Sequence, residues 1–112
     1  MHSMRLHNEP FAKIKNGTKT VELRLYDEKR RLLNVGDSIE FTNRVTNEKI
    51  VKKITNLVLY PNFDELYKHY TGIEMGYNDD DNINPNDMNQ YYSLEEQAKY
   101  GVIAIEISDC LE

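Results

Sequence analysis

Apolar and polar residues alternate over Thr20–Tyr26, where Val21, Leu23 and Leu25 are interleaved with Thr20, Glu22, Arg24 and Tyr26. A period of two marks a strand with one buried face, so the first set is assigned to the core and the second to a cleft or to water. Ser38-Ile39-Glu40-Phe41 alternates in the same way behind a Val35-Gly36-Asp37 turn. Lys49–Leu59 reads as a long strand with Ile50, Ile54 and Leu57 or Val58 able to pack. Val102–Ile107 is the most apolar strand, and Met4–His7 is a short first one.

Helical spacing appears in three places. Pro10 suits the first turn of a short helix over Glu9–Gly17, with Phe11 and Ile14 one turn apart and Asn16-Gly17 as its stop. Asn62 caps a predicted helix that runs to Tyr70, carries Phe63, Leu66, Tyr67 and Tyr70 on one face, and ends at Thr71-Gly72. Ser93 and Glu96 form a capping box for a last helix before Tyr100-Gly101. Residues 78–89, rich in Asn and Asp, are the least structured stretch. No repeat or linker divides the chain. The pattern therefore predicts one α+β domain over 1–112: a small curved sheet or barrel of about five strands with two to four short flanking helices.

Composition narrows the class. With 39% hydrophobic and 29% charged residues the chain reads as a soluble globular protein, and no apolar run approaches the roughly 20 residues of a bilayer span. The single cysteine, Cys110, excludes an internal disulfide and points, with a start that lacks a signal-like apolar core, to the cytoplasm. A net charge of −5 argues against broad nonspecific nucleic-acid binding. The charge is uneven, however: residues 5–31 hold eight basic and four acidic side chains, whereas residues 74–96 hold seven acids and no Lys or Arg. A basic end of this kind suits an anionic ligand.

Three strong ionic groups crowd one short stretch, Gly17-Thr18-Lys19-Thr20-Val21-Glu22-Leu23-Arg24. Glu22 and Arg24 share a strand face. Lys19, three residues from Glu22, joins them only if the strand begins after it. The bland reading is a surface ion pair. The functional one is a polar cleft in which Arg24 and Lys19 bind a phosphate or a base carbonyl and Glu22 accepts from an amine or a proton. Tyr26, on the same face, is a candidate stacking platform, and Tyr91 and Tyr92 are candidates to close the site. His2, His7 and His69 are scattered and have no metal-ligand spacing, so no metal is expected. Asp79-Asp80-Asp81 lacks the glycine and terminal glutamate of a calcium loop and reads as a solvated loop, with a lid over the cleft as the functional alternative.

The order of these pieces resembles the ASCH domain of the PUA-like superfamily. The resemblance rests on Phe11 with Ile14, the Gly-x-Lys-x-x-Glu-x-Arg element of residues 17–24, Val35-Gly36-Asp37-Ser38-Ile39-Glu40-Phe41, and Tyr92-Ser93 with Tyr100-Gly101-Val102-Ile103-Ala104-Ile105. It implies a PUA-like barrel whose cleft is lined by Lys19, Glu22 and Arg24, needs no cofactor, and binds RNA or a nucleoside or nucleotide. It also implies an alternative, a small hydrolase of a modified nucleoside or of RNA with Lys19 and Glu22 as its catalytic pair. Acetylcytidine amidohydrolases of the superfamily carry a threonine three residues after the motif lysine. Here that position is Glu22, which removes the expected nucleophile. Glu65 and Glu74 are the other carboxylates available for catalysis. A protein-interaction module with a vestigial cleft is the third reading.

Overall fold

A computed structural model describes residues 1–110. Five strands form one sheet in the order β1-β3-β4-β5-β2: β1 (His2–Leu6), β2 (Val21–Leu25), β3 (Ser38–Asn43), β4 (Lys49–Tyr60) and β5 (Val102–Asp109). β1 and β3 run parallel, and every other neighbouring pair is antiparallel. The sheet curls into a half-barrel whose two edge strands are β1 and β2. Four short helices flank it: α1 (Asn8–Lys15), α2 (Phe63–Leu66), α3 (Gly72–Met75) and α4 (Leu94–Tyr100). None is long and apolar enough to cross a membrane.

The alternation seen in the sequence now has two cores to serve. Ile103, Ile105 and Ile107 of β5 pack inside the curl with Met4, Leu6, Phe41, Ile54 and the α1 residues Phe11 and Ile14. Val102 and Ala104 of the same strand pack on the outer face with Val21, Leu23, Leu25, Phe63, Leu66 and Met75. β5 is therefore buried on both faces, which is why it reads as an apolar run. A bulge in β4 between Ile54 and Asn56 shifts its register, so that Leu57 serves the inner cluster and Val58 the outer one.

Helix ends follow local chemistry. Gly17, at φ +86°, takes the chain out of α1 in a left-handed conformation that a side chain disfavours. Ser93 accepts from Glu96 N at 3.0 Å while Glu96 returns the bond to Ser93 N, completing the expected capping box. The helix expected from Asn62 to Tyr70 is only one turn long. Asn62 does cap it, accepting from Glu65 N at 2.9 Å. Thr71, expected to end that helix, instead caps α3 through a second capping box with Glu74. Thr71-x-x-Glu74 carried that signal in the sequence. The stretch 78–89 also holds more order than expected, because Pro85–Gln90 form a 3-10 turn.

Ile105 is completely buried, so Ile105→Ala should cost about 2–5 kcal/mol, whereas Val51→Ala on the exposed face of β4 should stay within about 0.5 kcal/mol. Urea denaturation monitored by circular dichroism measures both.

Candidate functional site

β2 begins at Val21, so Lys19 lies ahead of the strand and escapes its alternation. Thr20 N donates to Glu74 O at 3.0 Å and Lys19 N to Lys13 O at 3.1 Å, which tie this lead-in to α3 and α1. The bend turns Lys19 onto the same side as Glu22 and Arg24. Gly76, in the left-handed conformation, makes room for this: a Cβ built there would stand 2.9 Å from the Lys19 side chain.

Glu22 is the centre of the arrangement. Only 4% exposed, it sits in β2 opposite Ile105, on the sheet face that looks into the curl. Its Oε1 accepts from Leu23 N at 3.1 Å and is ion-paired with Lys19 Nζ at 3.2 Å. Its Oε2 accepts from Arg24 Nη2 at 2.9 Å and Nε at 3.2 Å. These three hydrogen bonds and the ion pair with Lys19 engage both oxygens. Burial by itself would raise the carboxyl pKa, but the charges of Lys19 and Arg24 outweigh it and bring it from 4.5 to about 2. Burial likewise opposes the Arg24 charge, and Glu22 more than compensates, so the guanidinium pKa rises. Arg24 Nη2 also donates to Arg5 O at 3.3 Å, reaching from one edge strand of the half-barrel to the other.

A cleft of about 650 Å³ opens at this seam. One wall comes from the ends of β1 and β3 and the start of α1, with Arg5, His7, Glu9 and Arg44. The opposite wall is aromatic, with Tyr67, Tyr77, Tyr91 and Tyr92. Tyr67 and Tyr77 meet edge to face at 6.1 Å between ring centres, and their hydroxyls lie 2.9 Å apart. The Tyr77 hydroxyl also donates to Asp87 Oδ2 at 2.8 Å, and burial with these contacts pushes its pKa upward. Tyr92 stacks on Phe63 beneath the wall, and Tyr91 is more than half exposed. Buried Gln97 fastens the wall from behind. It donates to Asn89 Oδ1 and to Tyr92 O, both at 3.1 Å, and accepts from Phe63 N.

Lys19, Glu22 and Arg24 are thus brought together in a cleft, paired with one another as the bland reading expected but buried rather than on the surface. Tyr26 does not join them. The strand ends at Leu25, and the Tyr26 ring packs against the inner cluster with Arg31 stacked 4.4 Å from its centre. The end of the 78–89 stretch contributes Asp87 and Met88 to the cleft lining. Glu65 and Glu74 lie outside the cleft, engaged by Lys68 and by Thr71. His2 pairs with Asp37 at 2.8 Å and His69 stacks on Tyr60, while His7 lines the cleft. Among the described residues no group of three or more His, Cys, Asp or Glu is placed to hold a metal.

The sequence matches the ASCH domain profile over residues 4–110. The chain belongs to the ASCH domain family. No curated protein matches it significantly. Among solved structures this ASCH domain is similar to the hypothetical protein PH0355, with 32% identity, a TM-score of 0.79, and coverage of 96% of this chain and 97% of that one. It is also similar to protein PF0455 from Pyrococcus furiosus, with 33% identity, a TM-score of 0.72 and coverage of 96% and 94%. ASCH from Zymomonas mobilis shares the fold at 18% identity, with a TM-score of 0.69 and coverage of 96% and 66%. The half-barrel with flanking helices is the PUA-like ASCH fold expected from the sequence.

The lowered carboxyl pKa of Glu22 makes a sign-definite prediction. Its contribution, on the order of 3 kcal/mol, is fully present above pH 4.5 and is lost as pH falls from there toward 2. Glu22→Gln should flatten that part of the stability profile and cost about 3–5 kcal/mol at pH 7, because Lys19 and Arg24 lose their buried counter-charge. Urea titrations of both proteins between pH 7 and pH 2 test this; parallel profiles would remove Glu22 as the source.

Proposed function

We propose that this ASCH domain binds RNA, or a nucleoside or nucleotide, in the cleft at the half-barrel seam. The observation that carries the reading is the pairing of an aromatic wall with a cationic floor across one opening. A base offers a π face to the first and carbonyl or phosphate oxygens to the second. ASCH membership supports the same class of ligand.

The roles divide by what each group has left to give. Glu22 has both oxygens engaged, so it serves as a positioning residue that holds Lys19 and Arg24 toward the opening. The Lys19 ammonium uses one of its three donors on Glu22 and offers the others to a ligand. Arg24 supplies a planar donor surface beside it. Tyr91, more than half exposed on the opposite wall, is the stacking platform in place of Tyr26. A cleft of about 650 Å³ admits an unstacked base or a single-stranded chain end, whereas a duplex keeps its bases stacked and paired.

Hydrolysis is less well served by the same atoms. A carboxylate with a pKa of about 2, three hydrogen bonds and a lysine ion pair is a weak proton acceptor at neutral pH. Short single-stranded RNA should therefore raise the melting temperature and be recovered unchanged in mass. Tyr91→Ala should weaken its binding by about 1–3 kcal/mol, and Lys19→Ala should weaken it as well, while Tyr26→Ala leaves affinity unaltered. Calorimetric titration followed by mass spectrometry of the ligand measures all of these. A cleaved product lost in Lys19→Ala would make the domain a hydrolase, and no binding by any single-stranded or mononucleotide probe would end the nucleic-acid reading.

A further inference from the structure

Arg5 and Arg44 line the cleft, and the roles assigned above use neither side chain. In β1 the buried Met4 and Leu6 flank exposed Arg5, and exposed His7 follows the strand's end; β3 ends on buried Asn43, followed by exposed Arg44. Leu6 pairs with Asn43 in the parallel register, and Arg44 N donates to Leu6 O at 2.9 Å. Alternation therefore sends Arg5, His7 and Arg44 to one side of two adjoining strand ends, where all three border the opening.

The charge balance of this wall is uncompensated. Three carboxylates line the cleft, and each is already engaged: Glu9 with Lys13 at 3.2 Å, Glu22 with Lys19 and Arg24, and Asp87 with the Tyr77 hydroxyl. Among the described residues neither Arg5 nor Arg44 forms an ion pair with a carboxylate. Two guanidinium forks without a counter-charge, next to an imidazole, match the oxygens of a phosphate. α1 starts in the same wall, and its amide dipoles add to a field of the same sign.

We infer that the β1–β3 wall is a phosphate site, so that the preferred ligand is a nucleotide held by its phosphate ester rather than a nucleoside. This rests on the nucleic-acid reading of the cleft and adds the anionic anchor. The base faces the tyrosines and Lys19, and the phosphate meets Arg5 and Arg44 at the solvated rim. A free mononucleotide offers a phosphate monoester and a nucleotide within an RNA strand a phosphodiester, and both present anionic oxygens to the two guanidinium groups.

The test is calorimetric titration of the wild-type protein and an Arg5→Ala/Arg44→Ala variant at low salt. The probes are the four common nucleosides, their 5′-monophosphates, and a short single-stranded RNA with a 5′-hydroxyl or a 5′-phosphate. A monophosphate should bind at least about tenfold more tightly than its nucleoside. The double variant should erase that difference and leave nucleoside affinity unchanged, and an Arg5→Lys/Arg44→Lys variant should keep part of it. The slope of log affinity against log salt should fall by about 1–2 in the alanine variant. A difference confined to 5′-phosphorylated RNA places a chain end in the site, whereas an equal loss for both strands places an internal phosphodiester there. Equal wild-type binding of nucleoside and monophosphate overturns the phosphate site and leaves the cleft reading intact. No binding by any probe overturns both. Should the alanine variant fail to fold, the wild-type comparison decides alone.

Discussion

A carboxylate opposite a core isoleucine survives because two cations and a backbone amide surround it. Take away both cations and the half-barrel holds an uncompensated charge against Ile105 and its neighbours. The same requirement sets the geometry at the opening. Lys19 has to leave the strand pattern to reach Glu22, which is why the chain bends through Thr18 and Thr20, and why a glycine sits at position 76 where the lysine stem passes. Arg24, held from below by Glu22, is aligned to reach Arg5 O across the seam. One electrostatic constraint thus orders the floor of the cleft and links the two edges of the sheet.

The seam itself follows from topology. β1 pairs with β3 and β2 with β5, so the first two strands of the chain end at opposite edges of the curl. A fully closed barrel would have joined them by backbone hydrogen bonds and left no opening. The curl instead stops short, the inner core closes around Phe11, Phe41 and Ile105, and the mouth is left to polar side chains.

Much of this was legible in local sequence, and the reason lies in which contacts are local. The period of two in residues 20–26 located β2 and its core-facing residues, and the Gly-x-Lys-x-x-Glu-x-Arg element located the floor of the cleft. The same period put Tyr26 on the inner face with Glu22 and Arg24, where it lies, but could not show that it stays outside the cleft, because a strand's end is set by its partners. Tyr26 N donates to Gly101 O, and its ring is drawn into the inner core. Alternation could not reveal that the outer face also carries a core, since that depends on where α2 and α3 settle. Arg5 and Arg44 lie 39 positions apart and meet only through the parallel β1–β3 pairing, which leaves no local trace. Tyr67 looked like a core residue of a longer helix. α2 stops after one turn, and the tyrosine packs against the outer core while also lining the cleft.

The aromatic wall differs from the other in how it is attached. β1 and β3 are held by ladder hydrogen bonds, whereas the chain between Gly76 and Ser93 pairs with no strand and is fastened by the side chains of Gln97, Tyr77 and Asn84. Sequence change in that stretch leaves the sheet's ladder hydrogen bonds untouched but reaches the outer core, against which Tyr77, Met88 and Tyr92 pack. One side of the opening is therefore set by backbone pairing and the other by side-chain chemistry alone.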